Sequence, residues 1–91
     1  MLGCMVLVRF YDPKSGWDCY VYAQNPQEPD EIMAITVGWR VETGVYHLSS
    51  ILGMYDQHGN PPQKDPDFRP VSVACLLKQL RSKYNDNQGS A

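Results

Sequence analysis

The stretch 8–22, "VRFYDPKSGWDCYVY", decides how this chain folds. Two runs rich in β-branched and aromatic residues flank "DPKSG" at 12–16. In the first run, residues 5–11, Val6, Val8 and Phe10 share one face of an extended chain, and Leu7, Arg9 and Tyr11 share the other. In the second, residues 17–23, Trp17, Cys19, Val21 and Ala23 alternate with Asp18, Tyr20 and Tyr22. Pro13 pre-sets the backbone for the second position of a turn, and Gly16 tolerates a positive φ. The pattern predicts an antiparallel hairpin. A phosphate-binding loop is the competing reading. It needs several backbone N–H groups converging at a helix N-terminus. Here a strand follows and the segment holds a single glycine, so Lys14 and Ser15 read as solvated turn residues.

Beyond the hairpin, residues 24–31 carry Pro26, Pro29 and three acids, which predicts a polar loop or wide turn. Residues 32–41 read as a third strand with Met33, Ile35, Val37 and Trp39 on one face. Residues 42–44, "ETG", read as a turn into a short fourth strand at 45–48. Residues 49–54 predict one helical turn, capped by Ser49 and stopped by Gly53. Residues 55–70, rich in Pro, Gly, Asn and Asp, form a long irregular excursion that Phe68 pins to the body. The last element is a helix over 71–84 with Val73, Leu76, Leu77, Leu80 and Tyr84 at helical spacing. Ser72 is placed as its N-cap, and Val71 and Leu76 are placed as a hydrophobic staple. Lys78, Arg81 and Lys83 sit where the helix dipole favours cations. The sum is one α+β domain over 1–84 and a disordered tail over 85–91. An antiparallel meander of about four strands has the C-terminal helix packed on one face.

Composition narrows the function. The chain has 91 residues, 43% hydrophobic and 20% charged, enough for one small core. A net charge of −2 argues against a dedicated nucleic-acid binder, which is usually basic. Three widely spaced cysteines, Cys4, Cys19 and Cys75, with no CxxC, make neither a disulfide framework nor a zinc site. They read as reduced thiols in a cytoplasmic protein. The apolar start lacks a basic leader and a small-residue cleavage pattern, and no segment reaches the length of a membrane span. Met1 and Met5 are both candidate starts.

No metal or cofactor site is expected. His47 and His58, with Asp56, give too few convergent ligands. Cys19 should face the core, Cys75 lies in the first turn of the last helix, and no residue nearby is nominated as a base. The sequence therefore points away from an enzyme without excluding a triad assembled in space. Arg9, Tyr11, Tyr20 and Tyr22 fall on one sheet face, opposite the core face expected to hold Ile35 and Val37. Such a face reads as solvated sheet, as a protein contact, or as a stacking platform for single-stranded bases, the last disfavoured by the acidic balance. If it is a contact, replacing Tyr20 and Tyr22 with Ser should weaken association and spare the fold. A small-molecule pocket beside the 55–70 loop, using His47, Tyr55, Asp56, His58 and Phe68, is the third reading.

The order of features resembles one family of short bacterial proteins, a domain family of unknown function common on plasmids and other mobile elements. The resemblance rests on the Val-x-Phe-aromatic strand, Pro13 and Ser15 before Trp17, and Tyr20. Gly38 with Glu42 and Gly44 follows, then an aromatic strand ending in Leu48. Pro61 to Asp65 and Phe68-x-Pro70 complete the set. It covers about residues 6–72, a domain-sized match. Members of that family carry a short helical segment ahead of the first strand, whereas this chain begins almost at the strand and has a longer C-terminal helix. The resemblance implies a fold and a mobile-element setting and brings no catalytic residues. The expectation is a cytoplasmic protein-interaction module that binds a protein partner or itself, as a homodimer through a sheet face or an exposed strand edge, with no membrane role.

Overall fold

The structure, a computed structural model, describes residues 4–54 and 59–89, and side chains as far as residue 83. Its elements are β1 (Met5–Val6), β2 (Val8–Asp12), β3 (Trp17–Asn25), β4 (Glu28–Val37), β5 (Val41–His47), α1 (Leu48–Leu52), β6 (Gln63–Lys64), β7 (Val71–Ser72) and α2 (Val73–Gly89). The fold is α+β, as expected. Five antiparallel strands lie in the order β5-β4-β3-β2-β6, and β1 pairs with β7 in a small second sheet. The helical assignment of α2 runs past residue 84 into the segment read as a tail.

The hairpin forms where the sequence placed it, with Asp12 opposite Trp17. Asp12 organises the turn: its carboxylate accepts from the Lys14 N–H and the Ser15 hydroxyl, both at 3.0 Å. Gly16 takes φ 76° and donates to the Asp12 carbonyl at 2.9 Å. The Trp17 N–H goes to the Ser15 hydroxyl at 3.2 Å. Two of the loop's amides are thus already committed to its own side chains, and the segment is a turn with no phosphate cradle.

Several boundaries differ from the sequence reading, and short strands form at Gln63–Lys64 and Val71–Ser72, where an irregular excursion and the start of the helix are expected. The first strand breaks at Leu7, because residues 5–6 pair with 72–71 while residues 8–12 pair with β3. The polar loop at 24–31 shrinks to a two-residue connection, with Asn25 opposite Glu28. Pro29 is tolerated because β5 pairs β4 only from Glu31 onward, so the proline needs no outward ladder bond. The turn after β4 is residues 38–40, "GWR". Residues 42–44 lie inside β5, with Val37 opposite Val41 and Gly44 opposite Ala34.

Both faces of the five-stranded sheet carry apolar clusters. On one, Val6, Tyr22, Ile35, Val37, Val73, Leu76 and Leu77 are buried together, with Tyr20, Val41, Phe68 and Leu80 packed around them. This is the face that α2 covers. On the other, Cys19, Ile32, Ala34 and Ile51 are buried, with Phe10, Trp17, Val21, Tyr46 and Leu48 around them. The short α1 supplies the cover there. The α2 start follows expectation, since the Cys75 N–H bonds the Ser72 hydroxyl at 3.1 Å. The α1 cap is tertiary: no side chain of its own caps it. Asp30 instead accepts from the Ser49 N–H at 2.8 Å and the Ser49 hydroxyl at 2.7 Å.

Candidate functional site

The tyrosine face is the helix-covered face, which corrects its reading as an open surface. Arg9 stands opposite Tyr20 and Tyr11 opposite Asp18, as the hairpin predicts. The next strand, however, sets Ile35 opposite Tyr20 and Val37 opposite Asp18, so the aliphatics of β4 share the tyrosines' side. The β3–β4 register then slips between Val21 and Ala23, and Tyr22 and Ala23 together face Met33. This is the two-against-one arrangement of a β-bulge, and it turns both side chains toward the helix. Tyr22 is left 7% exposed. Tyr20 packs its ring on Phe68 at 5.9 Å and 51°. Burial raises the pKa of both phenols above its ordinary value, so both hold their protons more tightly.

Arg9 is likewise committed. Its Nε donates to Asp18 Oδ1 at 2.7 Å and its Nη1 to Asp65 Oδ2 at 2.8 Å, with a further contact from Nη2 to Asp18. The guanidinium also lies 4.6 Å from the centre of the Tyr11 ring. One cation between two carboxylates offers no positive field to a phosphate. What the cluster does is structural. The Asp65 N–H donates to the Arg9 carbonyl at 2.9 Å, so backbone and side chain together hold the segment after β6 against β2.

Asp65 is held below its ordinary 3.8, chiefly by the hydrogen bond from Arg9 and then by the Asp67 N–H. Asp30 is lowered by the Ser49 hydroxyl first and the Ser49 N–H next. Each folded-state carboxylate resists protonation longer than its unfolded counterpart. Its stabilisation is complete above the unfolded value and fades as pH falls through the folded one. Thermal melts from about pH 6 to about pH 3 should therefore show a falling midpoint. Asp65→Asn should flatten that fall, and an unchanged slope in that variant would show that the Arg9 pair carries none of it.

The remaining candidates do not converge. His47 ends the edge strand β5, its Nδ1 3.6 Å from Asp30 Oδ2. Phe68 lies on the helix side against Tyr20, on the other side of the sheet from α1. Tyr55, Asp56 and His58 fall outside the described residues. Among the described residues no group of three His, Cys, Asp or Glu side chains could hold a metal. Cys19 is fully buried, and burial, with Asp18 adding to it, pushes its thiol up to about 11. It is a core residue with no thiolate to offer.

Two surface features, a strand edge and a groove, are named only in general terms by the sequence and take their place in the structure. The first is the outer edge of β5, seven residues in unbroken register with β4. The opposite edge, β6, is two residues long. β5 contains no Lys and no Pro, the residues that commonly guard a strand edge. Beside it, Val45 is 58% exposed and its cross-strand neighbour Met33 is 38% exposed. Tyr46 lies back across Gly44 and reaches the Thr36 hydroxyl at 3.1 Å, so its ring turns toward β4 and away from the strand's outer edge. The second is a groove of about 260 Å³ on the α1 side of the sheet, between α1 and β6, walled by Phe10, Val21, Ile32 and Leu48 with Lys64 at its margin. Trp39, expected on the core face, instead stands 99% exposed at the tip of the β4–β5 turn.

No family model, curated protein or solved structure matches this chain. Among the described residues no helix is long and apolar enough to cross a membrane.

Proposed function

We propose that this protein is a small non-enzymatic interaction module that pairs with a second copy of itself through the outer edge of β5, in the mobile-element setting that the resemblance implies. The observation that carries this reading is the long, regular β5 edge, free of Lys and Pro, beside exposed Val45 and Met33. An antiparallel pairing of two copies about Gly44 is self-complementary. It sets Val41 against His47, Glu42 against Tyr46 and Thr43 against Val45, and no like charges meet. It joins two five-stranded sheets into one continuous sheet and satisfies the backbone groups that each edge presents to solvent.

Sedimentation velocity on the full chain tests it. The wild type should sediment as a dimer at tens of micromolar, and Val45→Lys should weaken association by at least about tenfold, since an edge lysine blocks strand addition. Val45 is exposed, so that variant keeps its fold. A wild type that stays monomeric at roughly 100 μM, in the affinity range of weak specific pairs, would overturn the dimer.

A second reading, a small-molecule binder with its pocket between the 55–70 segment and the sheet, is supported by the groove that Lys64 borders. The tyrosine-face nucleic-acid reading loses its support, because its cation is spent on Asp18 and Asp65.

A further inference from the structure

From the α1-side groove we infer a binding site for a small amphiphile, an apolar chain or ring that ends in a carboxylate or similar anion. The inference rests on the small-molecule reading and is independent of the dimer. α1 packs over β4 and β5 on that side of the sheet and buries Ile32 and Ala34. Its cover is thinner over β2 and β3, where Val8, Phe10 and Val21 remain partly exposed on the groove wall. Leu7, also on the groove wall, is 61% exposed where the chain breaks between β1 and β2. A groove of 260 Å³ has room for about nine heavy atoms at roughly 30 Å³ each, the body of a medium-chain or single-ring molecule.

Charge selects the head group. Lys64 is the single ionisable cation or carboxylate on the groove wall. Its register opposite Phe10 places it on the groove side of β6. Every other cation within the sheet's strands has an acidic neighbour: Arg9 has Asp18 and Asp65, and His47 has Asp30. Lys64 has no ion pair or hydrogen bond of its side chain among the described residues. An apolar trough with one ammonium at its margin, uncommitted among the described residues, fits an anion-headed apolar ligand and disfavours a cationic one.

The test is an ¹⁵N-resolved NMR titration of the full chain with octanoate, and in parallel with octanol, which has the same chain and no charge. Octanoate should move the amides of Leu7, Val8, Val21, Ala23 and Lys64, with a dissociation constant of about 1 mM or below. Lys64→Gln should weaken octanoate about threefold to fivefold and leave octanol unchanged, the size expected of a partly exposed ion pair. Leu7→Asp, at an exposed position that spares the core, should weaken octanoate more than octanol. Octanol binding as well as octanoate, with Lys64→Gln silent, would overturn the anionic class and keep a small-molecule groove. Shifts elsewhere, or none at 10-fold above that constant, would overturn both.

Discussion

Replacing Tyr20 and Tyr22 together with Ser is expected to unfold the protein. The sequence alone predicts the opposite, a surface change that spares the fold. The difference lies in what covers the face. Tyr22 is 7% exposed among Val6, Ile35, Val73, Leu76 and Leu77, and Tyr20 is half-buried beneath Phe68. Removing one buried aromatic ring typically costs about 3–5 kcal/mol, through lost transfer energy and the cavity left behind. Total stability for a domain of this size is of the order of 5–10 kcal/mol, so losing two rings from adjacent sites consumes most of it. Urea denaturation followed by tryptophan fluorescence measures this directly. Tyr22→Phe keeps the ring and should lose far less than Tyr22→Ser. A double-serine variant with a wild-type midpoint would mean that the helix does not seal that face.

Ending the chain after Ser72 is expected to abolish the cooperative fold. α2 places Val73, Leu76, Leu77 and Leu80 over the sheet, three of them nearly or fully buried. At about 1.5–3 kcal/mol for each fully buried aliphatic side chain, their combined burial is of the same order as the whole stability. Without them Tyr22, Ile35 and Val37 become an exposed apolar patch on a five-stranded sheet. Such a patch predicts aggregation as well as unfolding. The truncated chain should give collapsed amide dispersion and no sharp thermal transition. A dispersed spectrum from residues 1–72 would show that the sheet and α1 suffice. The milder substitution Leu77→Ala should cost about 2–5 kcal/mol and still fold, which separates loss of packing from loss of the whole element.

Much of this architecture follows from local chemistry. Asp12, Pro13 and Gly16 encode a turn whatever surrounds them, because the side-chain acceptor and the positive φ act within five residues. The Ser72 cap and the staple pair of Val71 and Leu76 are equally local, and they open α2 where their spacing says. The alternation in β2 and β3 correctly sorts Arg9, Tyr11, Tyr20 and Tyr22 onto one side. By itself the sequence determined an α+β chain, its first hairpin, its last helix and the burial of Cys19.

Which side faces the core was decided only in three dimensions. Alternation says which residues of a strand share a face, and it is silent on how one strand's faces match the next. β4 is apolar on both faces, with Ile32 and Ala34 on one and Ile35 and Val37 on the other, so its pattern could not choose a partner face. The pairing of Tyr20 with Ile35 and of Asp18 with Val37 set the choice, and the bulge at Tyr22 and Ala23 then added Ala23 to the helix side through a slip that no periodicity records. The same limit hid the candidate sites. The β5 edge is exposed because the chain places β6 on the opposite side of the sheet, and the groove exists because α1 is too short to span β2 and β3. Both are gaps between elements, and a gap is a property of where elements stand, which only the tertiary structure decides.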